Sequence, residues 1–383
     1  MEKGSQEEKG LAVNRSRIRR GLVGAVSITT ATLVIISLAT MGREIPSALS
    51  RLSPLFLLAA VVLSLGRWMW SVIRMRILVG ALGGHVPLSN LVKTVYGGYF
   101  TGMVTPWRAG GVTGEAVFLY QYGLGAGEAA AVVSFGACVS TLLLMFSFPL
   151  AIWLAQEHFR FSFTIRGFLF SALAVGSLFL ALVLFSLLRP QAALDRVLLR
   201  LSPPFLRRRK GYRRFLDRLG EEVRSFSASL RRMVFLGKAR LAGVTALTVL
   251  FWLTGFLAVP LALVGLGYGS YFWKAVVAQL VIQILMPFVP TPGGSGLGEV
   301  GFLYVYSRVL PDVGLAGLLT LIWRFIDFYL GILAGGAAFL LILRDVERRP
   351  RARREGEGIT REDPASREGA FTREGGEGPT PLE

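Results

Sequence analysis

The chain has 383 residues, 53% of them apolar and only 17% charged, with a net charge of +18 and a mean hydropathy of +0.55. A soluble domain typically carries about 25% charged residues, whereas residues 21–42, 129–156, 167–188 and 241–273 each run for 22 residues or more without Asp, Glu, Lys or Arg. These stretches are long enough to cross a bilayer as helices, which excludes an ordinary soluble enzyme.

Residues 1–20 form a polar lead with a basic cluster at Arg15, Arg17, Arg19 and Arg20. The apolar run behind it is too long for the core of a secretory signal and lacks a cleavage site, so about 21–41 reads as the first membrane helix. A second helix begins at Pro54, a proline tolerated at a helix start, and runs to about 79 with Arg67, Arg74 and Arg76 in its later part. Residues 90–124 are hydrophobic but broken by Pro and Gly. Full spans are expected at about 128–155 and 163–188.

The loop 189–240 holds 15 Lys and Arg against four acids. Within it Phe215, Leu219, Val223, Phe226, Leu230 and Met233 recur at steps of three and four. That spacing predicts an amphipathic helix, lying on the inner membrane surface or packed on the bundle. A span at about 241–265, a second broken region at 272–308 and a last span at 313–343 follow. Residues 345–383, rich in Gly, Glu, Arg and Pro, are expected to be disordered. The fold class is all-α: a polytopic membrane helix bundle of about six full spans plus two inverted-repeat re-entrant helical hairpins.

Lys and Arg favour the cytoplasmic side of a membrane. If each broken region returns to its own side, the N-terminus, the end of the second helix, the 189–240 loop and the C-tail all fall inside. The expected location is the cytoplasmic (inner) membrane, with both termini cytoplasmic. The positive charge then meets anionic lipid rather than nucleic acid. Cys138 is the only cysteine, and His85 and His158 are far apart. No disulfide, metal site or other cofactor is expected.

An internal repeat locates the candidate site. Glu115-Ala-Val-Phe-Leu-Tyr-Gln-Tyr122 and Glu299-Val-Gly-Phe-Leu-Tyr-Val-Tyr306 share the pattern E-x-x-F-L-Y-x-Y. Thr105 and Pro106, with Arg108, Gly110 and Gly111, precede the first copy; Thr291, Pro292, Gly293, Gly294 and Gly296 precede the second. A helix cannot continue unbroken through such sequences, so each region is expected to be a helical hairpin with a glycine tip. Three spans lie between the copies, which would place them on opposite sides of the membrane, a construction used by transporters. The free amides at each tip either face an anion such as a lipid phosphate, or the glycines only permit close packing.

Arg108, Glu115, Glu299, Arg324 and Asp327 fall in apparently embedded segments and should find partners in the bundle interior. Arg324 and Asp327, three apart on one helix, are placed to pair with each other. Glu299 has no local basic partner, and Arg324 is the natural choice. Glu115 and Glu299 are candidates for carrying protons or binding a head group, or they simply cap their helices. Lys93, Lys274 and Arg67 read as interfacial residues, though Arg67 lies deep enough to be a second-tier site candidate.

The second tip, Met286-Pro-Phe-Val-Pro-Thr-Pro-Gly-Gly-Ser-Gly-Leu-Gly-Glu299 followed by Arg324, resembles the lysylphosphatidylglycerol synthase transmembrane-region family over about residues 15–345. In the first tip, Pro106-Trp-Arg108-Ala-Gly110 has extra residues before Glu115 compared with the family's Pro-x-Arg-x-Gly-Glu. The resemblance implies a flippase-like protein that moves lipid across the bilayer. The family's soluble aminoacyltransferase domain is not recognisable here, so lysyl-lipid synthesis is not expected. Implied partners are membrane lipids, anionic phospholipid or a lipid-linked substrate, and a second copy of the chain as a homo-oligomer. Two other classes stay open: an integral membrane enzyme or accessory factor in lipid or lipid-linked sugar modification, and a small-solute transporter.

Overall fold

The computed structural model describes residues 15–40, 50, 52–155, 174, 177–178, 181, 210–235 and 237–359. Every regular element among them is helical. Helix α1 is Arg15–Thr40, α2 Pro54–Ala81, α3 Leu88–Met103, α4 Ala109–Gln121 and α5 Ala126–Ala155. Helix α6 is Lys210–Val234, α7 Lys238–Gly265, α8 Phe272–Leu285, α9 Leu297–Tyr306, α10 Val313–Arg324 and α11 Leu330–Ile359. The chain divides into two units, Met1–Phe339 and Leu340–Glu383, and the site described below lies in the first.

Four described helices are long and apolar enough to cross a membrane: Pro54–Ala81, Ala126–Ser147, Lys238–Gly265 and Val313–Glu347. Helix α1 contributes a shorter apolar stretch, Val26–Thr40. The span expected at 163–188 lies, apart from isolated helical residues, outside the described ones. The chain is a helical, multi-pass membrane protein.

Helices α2 and α7 run antiparallel in close contact. Ser53 N donates to Gly265 O at 2.8 Å, and a Cβ added at Gly265 would lie 2.9 Å from that of Phe56. Small residues allow such approach where lipid supplies no hydrophobic drive between helices. Both broken regions fold as helical hairpins. In the first, α3 and α4 are joined through a turn at Pro106–Arg108; Thr101 Oγ1 donates to Gly110 O at 2.7 Å. In the second, α8 and α9 are joined through turns at Met286–Phe288 and Pro292–Gly294. Its open end is closed by Tyr306, whose hydroxyl donates to Ala275 O at 3.1 Å.

Of the two placements left open for helix α6, it takes the packed one: Leu230 and Met233 of its apolar stripe are fully buried, and Glu222 Oε2 accepts from Gly127 N at 2.6 Å. An acid at the first turn of α5 suits that helix's dipole. One expectation needs revision, that of the C-tail, where α11 stays helical to Ile359 although its composition predicts disorder from residue 345. Arg, Glu and Ala are good helix formers and carry the helix beyond its apolar part. Residues 360–383 lie outside the described ones.

The α5–α6 contact depends on Gly127, where an added Cβ would meet Glu222 O at 2.5 Å and Phe226 N at 2.8 Å. Gly127→Val should destabilise the protein by about 1–3 kcal/mol through overpacking against backbone. It should also speed proteolysis within 210–235 in purified protein, whereas Gly80→Ala, which meets nothing within 4 Å, should not.

Candidate functional site

The two hairpin tips follow the same backbone course. Thr105 (φ −119°, ψ 147°) and Thr291 (φ −81°, ψ 149°) are both extended. A proline follows each, Pro106 or Pro292, and then two left-handed residues. In the second tip these are Gly293 at φ 61° and Gly294 at φ 73°. In the first they are Trp107 at φ 51° and Arg108 at φ 55°. Glycine adopts this region freely, whereas an L-residue pays roughly 1–2 kcal/mol for it. The tips meet: a Cβ at Gly293 would lie 3.0 Å from Met103 O and 2.6 Å from the Phe328 ring.

The second tip is built around Arg324, 1% exposed, at the end of α10. Its Nη1 donates to Gly293 O at 3.1 Å and its Nη2 to Gly294 O at 2.8 Å. The same Nη2 lies 2.9 Å from Oε2 of the fully buried Glu299, the partner expected from sequence. Glu299 stands in the first turn of α9, where the helix dipole favours negative charge. Arg324 Nε and Thr291 Oγ1 are buried without a hydrogen-bond partner among the described residues. Gly298 permits the approach, since a Cβ there would sit 2.5 Å from Arg324 Nη2. Gly296, at φ 83°, ends the tip, and Ser295 ties it to α1 by accepting from Thr29 Oγ1 at 2.7 Å.

Two amides of the second turn are bonded within it, Gly294 N to Thr291 O at 3.0 Å and Ser295 N to Pro292 O at 3.1 Å. The broken backbone turns its carbonyls to a cation, Arg324. The first tip is likewise closed on itself, with Gly110 N donating to Thr105 Oγ1 at 2.8 Å. Gly110 and Gly111 pack against α3, where an added Cβ would meet Thr101 O at 2.5 Å and Gly98 O at 3.6 Å respectively.

Asp327 does not pair with Arg324. Residues Phe325–Tyr329 form a π-helical turn that parts the two charges. Asp327 Oδ1 accepts from Arg67 Nη2 at 2.6 Å. Arg67 is therefore no interfacial residue: it is 5% exposed. The Tyr99 hydroxyl donates to the Asp327 main-chain oxygen, occupying a carbonyl of the π turn. Sequence reasoning missed Tyr99 and the partnership of Arg67; an arginine in the middle of an apolar helix was the available signal.

Glu115 lies apart from Glu299. It borders a separate small cavity with Arg74, Val132 and Gly136 and packs on Gly98, whose added Cβ would meet its Cγ at 2.4 Å. Arg74 donates to Ser140 at 3.0 Å and Thr248 at 3.1 Å. The repeat-related acids therefore have different neighbours.

Arg108 stands out among the embedded arginines. Its contacts are with the Met103 sulfur at 3.4 Å and the Tyr99 ring at 6.0 Å. No carboxylate pairs with it among the described residues. It is partly exposed on its left-handed backbone beside Trp107, which is 61% exposed.

A family model described as the lysylphosphatidylglycerol synthase TM region matches residues 22–335. A UPF0104 membrane protein of Archaeoglobus fulgidus is 27% identical over 319 residues, covering 81% of this chain and 93% of its own length. No solved structure matches.

Removing one member of a buried ion pair leaves an uncompensated charge and costs about 3–5 kcal/mol. Arg324→Met should therefore lower stability by about that much. Adding Glu299→Leu should recover much of the loss, as read by thermal unfolding of the purified single and double variants. Trp107→Gly removes a left-handed L-residue and should raise stability by about 1 kcal/mol in the same assay.

Proposed function

The chain belongs to the lysylphosphatidylglycerol synthase TM region family, and on that premise we propose that it is a lipid translocase. It moves a phospholipid or lipid-linked head group across the cytoplasmic membrane, with both termini on the cytoplasmic side. The observation that carries this reading is Arg108. Arg67 and Arg324 have acids beside them, whereas Arg108 offers a guanidinium with no carboxylate among the described residues, on a strained tip at the junction of the two hairpins. A cation held in a sparsely populated backbone conformation points to function, and a guanidinium matches phosphate geometry in two hydrogen bonds. The exposed Trp107 beside it suits the boundary between head group and acyl chains.

The hairpins supply the path. They carry the repeated E-x-x-F-L-Y-x-Y sequence and the same tip backbone. The crossings expected from sequence at about 128–155, 163–188 and 241–265 would make them inverted, an arrangement that puts the binding site where the repeats meet. The head group passes between the tips while the acyl chains stay in lipid.

The test is transbilayer movement of short-chain fluorescent phospholipids, with anionic and zwitterionic head groups, in reconstituted liposomes. The wild type should accelerate movement in a head-group-dependent way. Arg108→Gln should slow it about tenfold or more, the loss expected for one charge-assisted hydrogen bond. The purified variant should stay folded, because no ion pair is broken. Rates equal to protein-free liposomes for every head group, or full activity in Arg108→Gln, would reject the reading. Product formation from a labelled lipid would point instead to an enzyme, and solute uptake without lipid movement to a solute carrier.

A further inference from the structure

The corner between α6 and α7 combines positive charge with exposed apolar surface. Phe235 sits in the turn, 84% exposed, and Val234 beside it is exposed as well. Arg232, Lys238 and Arg240 flank the turn and are exposed. No acid pairs with any of the three among the described residues. Helix α7 starts behind Gly237 with no side-chain cap and no acid in its first turn, so the positive end of its dipole adds to the same charge. Exposed aromatics favour the membrane–water boundary, and long cationic side chains lay their stems on apolar surface while the head stays at that boundary. Both features set the corner at head-group level.

An open groove of about 730 Å³ begins at this corner. It follows one face of α7 from Lys238 to Leu250, at steps of three and four residues. The small residues Ala242, Thr245 and Ala246 lie along it between the bulkier Leu241 and Leu250, and none of these is buried. Lys238 is the one charged residue among its described walls. From Lys238 to Leu250 a helix rises about 18 Å, close to the depth of one leaflet of a hydrocarbon core about 30 Å thick. The groove thus starts with a cation at the boundary, continues apolar and ends near the midplane. Those are the length and polarity of one phospholipid of that leaflet.

We propose that this groove binds one resident anionic phospholipid, at residues separate from the hairpin tips. The Lys238 ammonium holds the phosphate, and Arg232 and Arg240 add positive potential around it. One acyl chain lies along Ala242, Thr245 and Ala246 towards Leu250. A zwitterionic phospholipid offers the same chain and phosphate but brings an ammonium among three cations, so the site prefers a head group with net negative charge. This lipid is a fixed companion of α7 and not cargo, and its site stands whether or not the chain moves lipid.

The test is photolabelling of the purified full chain, in phosphatidylcholine nanodiscs, by phosphatidylglycerol carrying a diazirine in its acyl chain. Mass spectrometry of the peptides reads where the label falls. It should concentrate on 238–250, above the exposed stripe of α2 at Leu55, Leu58 and Val62. Unlabelled phosphatidylglycerol should compete it away, and the same amount of added phosphatidylcholine should not. Lys238→Gln should cut the label about fivefold, the effect of one basic residue at an anionic head group. Ala246→Trp fills the groove without changing the charge and should cut it by a similar factor. Both residues are exposed, so both variants should unfold at the wild-type temperature. Arg108→Gln should leave the label in place. Equal labelling by a phosphatidylcholine analogue, or full labelling in both groove variants, means ordinary lipid contact and overturns the site. Loss of the label in Arg108→Gln assigns it to the hairpin tip and overturns a separate site. Little label on 238–250 also overturns it. Disulfide-linked dimers of Ala246→Cys in a Cys138→Ala background would then name a second copy as the occupant, and their absence the apolar run at 163–188.

Discussion

A guanidinium that is 1% exposed inside a membrane bundle dictates much of the structure around it. Arg324 needs an opposing charge and free acceptors, and an intact helix offers neither, because its carbonyls are already bonded along the axis. Breaking the second hairpin at Pro292–Gly294 releases the carbonyls of Gly293 and Gly294, and starting α9 at Leu297 places Glu299 in a first turn. The glycines serve the same end, since a side chain at Gly298 would displace the guanidinium. The break in the helix and the buried charge are one constraint: each would be expensive without the other.

The same backbone course serves opposite chemistry in the first hairpin. There the two left-handed positions carry Trp107 and Arg108 in place of glycines, and the tip itself brings the cation. The second tip relaxes into glycine and receives an arginine from α10, whereas the first holds L-residues in a strained course and keeps its arginine without an acid among the described residues. Meeting tip to tip at Met103, Gly293 and Phe328, the two hairpins place one neutralised and one open cation at their junction. Symmetric sequence thus yields an asymmetric site. The acids diverge similarly, Glu299 beside Arg324 and Glu115 in a cavity with Arg74.

Much of the architecture was legible because the bilayer imposes long uncharged runs and because proline and glycine announce where helices break. The hairpins, their tips and the Glu299–Arg324 pair all follow from those rules. The amphipathic stripe of α6 was also legible, but not the surface it faces, since a lipid face and a protein face ask for the same residues. Only Gly127, too close to Glu222 and Phe226 for any side chain, reveals a packed contact, and glycine near a helix start is too common to mark one by itself. That Gly293 and Gly294 turn their carbonyls to Arg324 was out of reach for a related reason. Sequence marks where a helix is interrupted, but the direction of the freed backbone groups depends on left-handed dihedrals that glycine permits without requiring.

The pairing of Asp327 was out of reach for a more specific reason. Residues three apart on an α-helix share a face, so Arg324 and Asp327 should neutralise each other. The π turn at Phe325–Tyr329 widens the helix between them and turns the two side chains to different neighbours, Arg324 to the second hairpin and Asp327 to α2. Such turns cluster at functional sites, and this one has supports of its own: the Tyr99 hydroxyl on the Asp327 carbonyl, Gly331 against the Tyr99 ring, and Thr30 bonded to the Tyr329 hydroxyl at 2.8 Å. Those contacts come from α3 of the first hairpin and from α1. One irregular turn therefore separates two charges that would otherwise cancel, sending Arg324 to the second hairpin and Asp327 to Arg67 of α2.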